Sequence, residues 1–277
     1  MCGTCGCGSE ENGVSIQNPR DLKIHQHEHN AHDHHHHDEG HSHFHDHPHS
    51  HDHTHDHHHK KILKVEQDIL QHNEIMAARN RGYFDAKNIF AINLVSSPGS
   101  GKTSILERTL QDLKKEISFS VIEGDQQTLN DANRIDALNI PVIQINTGKG
   151  CHLESDMIYD AVKKLAIAEN SVLMIENVGN LVCPSMFDLG ENKRIVIIST
   201  TEGEDKPIKY PDMFHTSDIC IINKIDLLPY LNFNMDKVKE YALQVNPDLK
   251  FFEVSATTGE GMDKWYEWLK LIIIEKE

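Results

Sequence analysis

Apolar positions divide this chain sharply. From residue 88 onward, short and nearly continuous apolar runs recur: IFAINLV, SFSVIEGD, PVIQINTG, SVLMIEN, RIVIIST, DICIINK and KFFEVSA. Runs apolar at successive positions, rather than alternating, predict strands buried on both faces. Between them the apolar spacing shifts to the helical period. Helices are predicted from Lys102 to about Lys115, near Leu129–Leu138, over Leu153–Ala168 and at the C-terminus. Strands alternating with helices predict one α/β domain over residues 88–277, with a mostly parallel sheet covered on both faces. Just ahead, KILKVEQDILQHNEIMAARNRG sets Ile62, Val65, Ile69 and Ile75 at helical spacing, so residues 61–87 are expected to form a helix that Gly82 ends. Residues 9–60 have no such pattern. They cannot bury enough apolar area to offset their ordering entropy, and disorder is expected there without metal. Residues 1–8, MCGTCGCG, bring Cys2, Cys5 and Cys7 together on glycine-rich backbone that no packed core would use.

Composition explains the polar zone. Of the 22 histidines, 19 lie between His25 and His59. The net charge is −16 with histidine neutral. Nucleic-acid binding calls for a basic face, and none is visible, so that partner is excluded. The longest apolar run, near Leu271–Ile274, is too short to span a bilayer, and no basic-then-apolar leader opens the chain. Six cysteines, three of them bunched, do not form a spaced disulfide framework. A cytoplasmic chain that uses thiols for metal or redox work is expected.

The first strand run ends in SSPGSGKTS. Gly99, Ser100, Gly101, Lys102, Thr103 and Ser104 fit the end of a phosphate-binding loop, where glycines turn backbone N–H groups onto phosphate oxygens at a helix N-terminus. Lys102 would reach the β- and γ-phosphates and Thr103 would ligate Mg²⁺. The first position of the usual pattern, a glycine, is Ser96 here. The base is chosen further along. DICIINKID places Asn223, Lys224 and Asp226 at a strand end, like the Asn-Lys-x-Asp guanine motif of GTPases. A carboxylate at Asp226 can accept from N1–H and the exocyclic amine of guanine, a donor pair that adenine lacks. Ser255 and Ala256 sit where a second base loop falls, with the Ala256 N–H facing guanine O6. VIEGDQQT offers Glu123 and Asp125, and MIENVGN offers Glu176, as carboxylates for the Mg²⁺ site; Asp125 is expected to lie closer to the metal than Glu176. These residues predict GTP hydrolysis. No arginine stands out as a transition-state finger, so turnover alone is expected to be slow.

Two further segments suggest metal. TGKGCHLE sets Cys151 beside His152, and NVGNLVCP supplies Cys183. Both follow strands that should end on the nucleotide edge. One imidazole and two thiolates suit Ni²⁺ or Zn²⁺, with a shell left open or completed across a two-fold axis. Spacing alone leaves the alternative of an incidental Cys–His pair open. Cys220, inside an apolar run, reads as a buried small hydrophobe.

Taken together, MCGTCGCG, the histidine zone, SSPGSGKTS, EGDQQTLNDANRI, TGKGCHLE, ENVGNLVCP, NKIDLLP and SATTGEGM resemble the hydrogenase nickel-incorporation GTPases, the HypB family. The resemblance implies a P-loop GTPase of the signal-recognition and MinD-type class, dimerising with GTP or metal. It implies that Cys151, His152 and Cys183 bind nickel or zinc at the dimer interface. It further implies that hydrolysis is coupled to nickel delivery to a [NiFe]-hydrogenase large-subunit precursor, with the zinc protein HypA as partner. Cys2, Cys5 and Cys7 then become a tight Ni²⁺ site, with an N-terminal amine as a fourth donor in the plane that low-spin Ni(II) favours. The histidine zone could be a tag, a spacer or a nickel reservoir. As a reservoir it should release metal near or below about pH 6, because protonated imidazoles do not ligate. The rivals are a urease-maturation nickel GTPase and a nickel store with a vestigial nucleotide domain.

Overall fold

The computed structural model describes residues 14–22, 55–126 and 130–274. In chain order these form β1 (Ser15–Gln17), α1 (Pro19–Leu22), α2 (His55–Ala86), β2 (Ile89–Ser96), α3 (Lys102–Leu113), β3 (Phe119–Asp125), α4 (Asn130–Asp136), β4 (Val142–Asn146), α5 (Ser155–Lys164) and β5 (Ser171–Glu176). There follow β6 (Lys193–Ser199), α6 (Lys206–Lys209), α7 (Pro211–His215), β7 (Ile219–Asn223), α8 (Met235–Val245), β8 (Lys250–Glu253) and α9 (Met262–Ile274). Two 3₁₀ turns, Cys183–Met186 and Ile225–Tyr230, follow β5 and β7.

One eight-stranded sheet runs in the order β1-β4-β3-β5-β2-β6-β7-β8. Every pairing is parallel except β1 with β4, which is antiparallel. The parallel α/β expectation holds, and all seven strand-like runs become strands. Strand period two sorts their side chains onto two faces. Ile92, Leu94, Ile195 and Ile197 pack with Ile105 and Leu110 of α3, Ile135 of α4 and Trp265 and Leu269 of α9. On the other face, Ala91, Ile143 and Ile175 pack with Phe84 of α2 and Ile158 of α5. Beside them, Val196, Ile198 and Cys220 meet Phe214 of α7 and Val238 of α8. Cys220 is fully buried, as a small core hydrophobe should be, and burial raises its thiol pKa well above the usual range.

The structure corrects two local expectations. Gly82 does not end α2, which runs on to Ala86 and seats Phe84 in the core. Ile69 and Ile75 are exposed; the buried stripe of α2 is Asn73, Ala77, Asn80 and Phe84. The two asparagines replace water at polar backbone. Asn80 Nδ2 donates to the carbonyls of Ser155 and Leu189, and Asn73 bridges the Ser155 N–H and the Asp188 carbonyl. Within residues 9–60, short described pieces are the edge strand β1, α1 and the start of α2; they do not overturn the expectation for the zone as a whole. Residues 1–13, with Cys2, Cys5 and Cys7, and most of the histidine zone lie outside the described residues.

Candidate functional site

All parallel strands end on one rim, and the candidate residues gather there. β2, at the sheet centre between β5 and β6, leads into the loop Ser97–Gly101 and then α3. Gly99 and Gly101 adopt φ of 77° and 92°, left-handed values that a side chain strains to reach. A Cβ at Gly101 would also lie 2.3 Å from Asn223 Nδ2. The amide of Asn223 thus buttresses the loop: Nδ2 donates to the Ser100 carbonyl at 2.9 Å, and Oδ1 accepts from the Ala256 N–H at 3.2 Å. Lys224, at φ 64°, donates from Nζ to the Gly99 carbonyl at 2.7 Å. Ser255 is buried and accepts from Thr258 N–H. Asp226 opens the adjoining 3₁₀ turn. The segments expected to read the base therefore meet the phosphate loop through direct hydrogen bonds. In this conformation the Ala256 N–H is engaged by Asn223. Ser96 turns its hydroxyl onto the Ser97 carbonyl, and Ser97 donates to Glu202.

Beside this loop lies a cleft of about 650 Å³, walled by Ser97–Ser104, Glu123, Asp125, Arg134, Cys151, Glu176 and Lys224, among others. Its charge is concentrated in one cluster. Glu176 Oε1 accepts from Lys102 Nζ at 2.7 Å and from the Thr103 hydroxyl at 2.6 Å. Glu176 and Lys102 are 1% and 10% exposed at the side chain, so this pair is scarcely screened by water. Parallel pairing of β3 and β5 sets Glu123 next to Glu176. Glu123 is buried and its carboxyl is pushed up to about 9, first by desolvation and then by the Glu176 charge. Glu123 Oε2, Glu176 Oε2 and the Ser100 hydroxyl are buried without hydrogen-bond partners. The orphaned Glu176 carboxylate oxygen beside the Thr103 hydroxyl offers hard oxygen donors, which fit Mg²⁺. Asp125 lines the same cleft and accepts the Gln126 N–H, but Glu176 is the carboxylate in contact with Thr103. Arg134 also lines the cleft, tied to Glu107 and Asp131. Nothing in local spacing singled it out, because its approach depends on how α4 packs.

The second candidate site sits on the same rim. Donor atoms of Cys151, His152 and Cys183 lie within 4.8 Å of one another, the one such group among the described residues. The two sulfurs are 2.7 Å apart, well beyond the roughly 2.05 Å of a disulfide. His152 Nδ1 lies 3.7 Å from Cys151 Sγ, and the ring stacks on Phe187 at 3.9 Å. His152 Nε2 is 3.3 Å from Glu154 Oε1 but is not aligned for a hydrogen bond. Two sulfurs and one ring nitrogen converging within a few ångströms suit Zn²⁺ or Ni²⁺. Tertiary packing thus brings together a pair and a single cysteine 32 positions apart in sequence.

Hydrogen bonds join the two sites. The Thr147 N–H donates to the Asp125 carbonyl at 2.9 Å, and Gln126 Nε2 reaches the Gly150 carbonyl at 3.2 Å. Asn177, next to Glu176, accepts the Leu153 N–H at 3.2 Å. Asn180 donates to the Cys151 carbonyl at 3.4 Å.

A parallel sheet with a glycine-bent phosphate loop and an Asn-Lys-x-Asp turn braced against it defines a P-loop nucleotide-binding protein of the GTPase class. Residues 90–253 match the family model described as CobW/HypB/UreG, nucleotide-binding domain. Hydrogenase maturation factor HypB of Escherichia coli K12 is 54% identical over 211 residues, covering 76% of this chain and 73% of that protein. HypB of Rhizobium leguminosarum bv. viciae is 58% identical over 212 residues, covering 76% and 71%. Among solved structures, HypB of Archaeoglobus fulgidus superposes with a TM-score of 0.69 at 37% identity, covering 73% of this chain and 99% of that one. HypB of Helicobacter pylori in complex with nickel gives 0.68 at 39%, covering 73% and 95%. The chain belongs to the HypB family of hydrogenase maturation factors.

Proposed function

We propose that this chain is a GTP-hydrolysing nickel metallochaperone that delivers Ni²⁺ during [NiFe]-hydrogenase maturation. One observation supports the coupling above all: Cys151 forms part of the wall of the same cleft as the phosphate loop. The nickel-bound state of the Helicobacter pylori relative supports the cargo.

In this reading the phosphate-loop N–H groups, the Ser100 and Ser104 hydroxyls and Lys102 hold the nucleotide phosphates. Asp226, Asn223, Lys224, Ser255 and Ala256 form the guanine end. Thr103, with Glu176 and Asp125, would hold Mg²⁺, which would supply neutralisation of the charge developing on the phosphates. Entry of GTP would turn Lys102 from Glu176 onto the phosphates. Glu176 is joined to Asn177, which holds the Leu153 N–H, and Asn180 holds the Cys151 carbonyl. The nucleotide state therefore alters the spacing of Cys151, His152 and Cys183, an order-and-loop switch of the GTPase kind. These three donors hold Ni²⁺ or Zn²⁺ and leave a coordination position for a second copy, the zinc protein HypA or the large-subunit precursor. Cys2, Cys5 and Cys7 form the tight entry site, and the histidine zone is a reservoir, all in the cytoplasm.

The test is Ni²⁺ titration of the full chain, followed by thiolate-to-nickel charge-transfer absorption, with GDP or a non-hydrolysable GTP analogue. A nickel affinity that differs between the two nucleotides, with GTP hydrolysis lost in K102A, supports the proposal. Equal affinity in both states would falsify the coupling.

A further inference from the structure

The segment that follows Cys183 has its backbone caught by side chains from distant elements. Arg194, on β6 between β2 and β7, is buried, as is its ion partner Glu191. The guanidinium spreads its donors over several acceptors. Nη1 donates to the Ser185 carbonyl at 3.1 Å and to the Thr216 hydroxyl at 3.0 Å. Nη2 donates to the Phe187 carbonyl at 2.8 Å, and Nε to Glu191 at 3.0 Å. Glu191 in turn accepts from Asn93 Nδ2 and from the Leu189 N–H. The Asp188 carbonyl, next along, accepts from Asn73 and from the Ser155 hydroxyl.

The two carbonyls that Arg194 joins serve the two halves of the metal site. Ser185 lies in the 3₁₀ turn Cys183–Met186, and its N–H and hydroxyl both close onto the Val182 carbonyl. Phe187 carries the ring stacked on His152, at 3.9 Å between centroids and 24° between planes. Both of these side chains are buried. Among the described residues Phe187 belongs to none of the three apolar clusters on the sheet, so core filling does not account for its place. With one face covered, the imidazole cannot tilt out of its plane without losing the contact. In that plane Nδ1 lies 3.7 Å from Cys151 Sγ, and Nε2 faces Glu154. A guanidinium is a rigid planar fork, so the spacing of the two carbonyls places the Phe187 ring relative to Cys183. A ring left free to turn about its side-chain bonds would have to be ordered when the ion binds, at an entropic cost.

We propose that Arg194 and Phe187 are positioning residues of the metal site: the guanidinium fixes the Phe187 ring against the turn of Cys183, and the ring fixes the plane of His152, so that the three donors are set before Ni²⁺ or Zn²⁺ arrives. The proposal deepens the metal-site reading above and rests on it. Neither residue ligates the ion. Both act as outer partners that orient a ligand, a role whose loss weakens metal binding without removing a donor.

The experiment uses the full chain at buffered free Ni²⁺, so that the histidine zone does not deplete the ion. Iodoacetamide labelling of Cys151 and Cys183, read peptide by peptide in a mass spectrometer, reports their protection by nickel. F187L keeps an apolar side chain but has no flat face. R194K keeps the charge opposite Glu191 but cannot bond both carbonyls. Each should raise the free Ni²⁺ needed for half-protection about tenfold. Both should leave GTP-analogue binding to the metal-free chain unchanged, which also reports that they fold; if R194K does not fold, F187L carries the test. In H152A, which has no ring to place, F187L should cause no further loss. In a metal-free arm, proton NMR should find the His152 ring signals, identified by their loss in H152A, shifted upfield by the Phe187 face and returned toward ordinary positions in F187L. A half-protection point unchanged in F187L, an equal loss from F187L in the H152A chain, or ring signals that F187L does not move would each overturn the proposal. Absence of any nickel protection in the native chain would instead overturn the metal-site reading, and the proposal with it.

Discussion

At the residue scale, Glu176 is the pivot. In the proposed reading, this buried carboxylate, which contacts both Lys102 and Thr103, competes with phosphate for Lys102 and shares Mg²⁺ with Thr103. E176Q keeps its shape and removes its charge. In that variant Lys102 meets less competition for phosphate, while Thr103 loses its anionic neighbour. The expected outcome is that Mg²⁺ strengthens GTP-analogue binding at least about tenfold less than in the native chain, given ~1.5–3 kcal/mol for a hydrogen bond to a charged group. Fluorescent-nucleotide titrations with and without Mg²⁺ check this, and an unchanged Mg²⁺ effect would remove Glu176 from the metal site. Thiol chemistry offers a second check at this scale. Cys220 is fully buried with its pKa raised by desolvation, whereas Cys151 is partly accessible. Iodoacetamide should modify Cys151 in the native fold and leave Cys220 untouched until denaturant is added. Equal rates at the two would contradict the packing described.

At the element scale, α2 shows a polar anchor where the sequence suggested an apolar one. Ile69 and Ile75 match the helical period but are exposed, and the adjoining sheet face is filled by Phe84 and α5. What holds the helix to the rim is the amide of Asn80, buried between two carbonyls. N80A leaves both acceptors without their donor, so a loss of about 2 kcal/mol is expected, or a fall in Tm of roughly 4–8 °C for a domain of this size. Thermal unfolding followed by circular dichroism measures it; a fall below about 1 °C would show that water replaces the amide. Pattern reading missed this contact because asparagine periodicity carries no hydrophobic signal. It missed β1 for a related reason: three half-buried residues form a strand only because the edge of β4 offers backbone partners.

At the scale of the whole molecule, the metal-site donors lie beside exposed apolar side chains. Val182 and Met186, 46% and 55% exposed, flank Cys183. Three donors and an adjacent apolar patch suit a shell completed by a second copy, in which the same patch faces itself. Light scattering of the full chain should show a mass doubled by Ni²⁺ together with a GTP analogue, and a monomer under the same conditions for C183S. A dimer that persists unchanged in C183S would place the interface elsewhere. Coupling across the molecule is reciprocal by thermodynamics: whatever factor GTP imposes on nickel affinity, nickel must impose on GTP affinity.

The order of apolar runs by itself determined the α/β class, since strands buried on both faces and helices with one apolar stripe have only one economical stacking. SSPGSGKTS likewise determined the phosphate loop, because glycine at φ 77° and 92° is a local requirement. Tertiary structure alone decided which carboxylate meets Thr103, that Arg134 reaches the cleft, and that Cys183 joins Cys151 and His152. The place of Glu176 depends on register between β3, β5 and β2, where a one-residue shift would turn its side chain to the other face; those of Arg134 and Cys183 depend on how α4 and the turn after β5 pack.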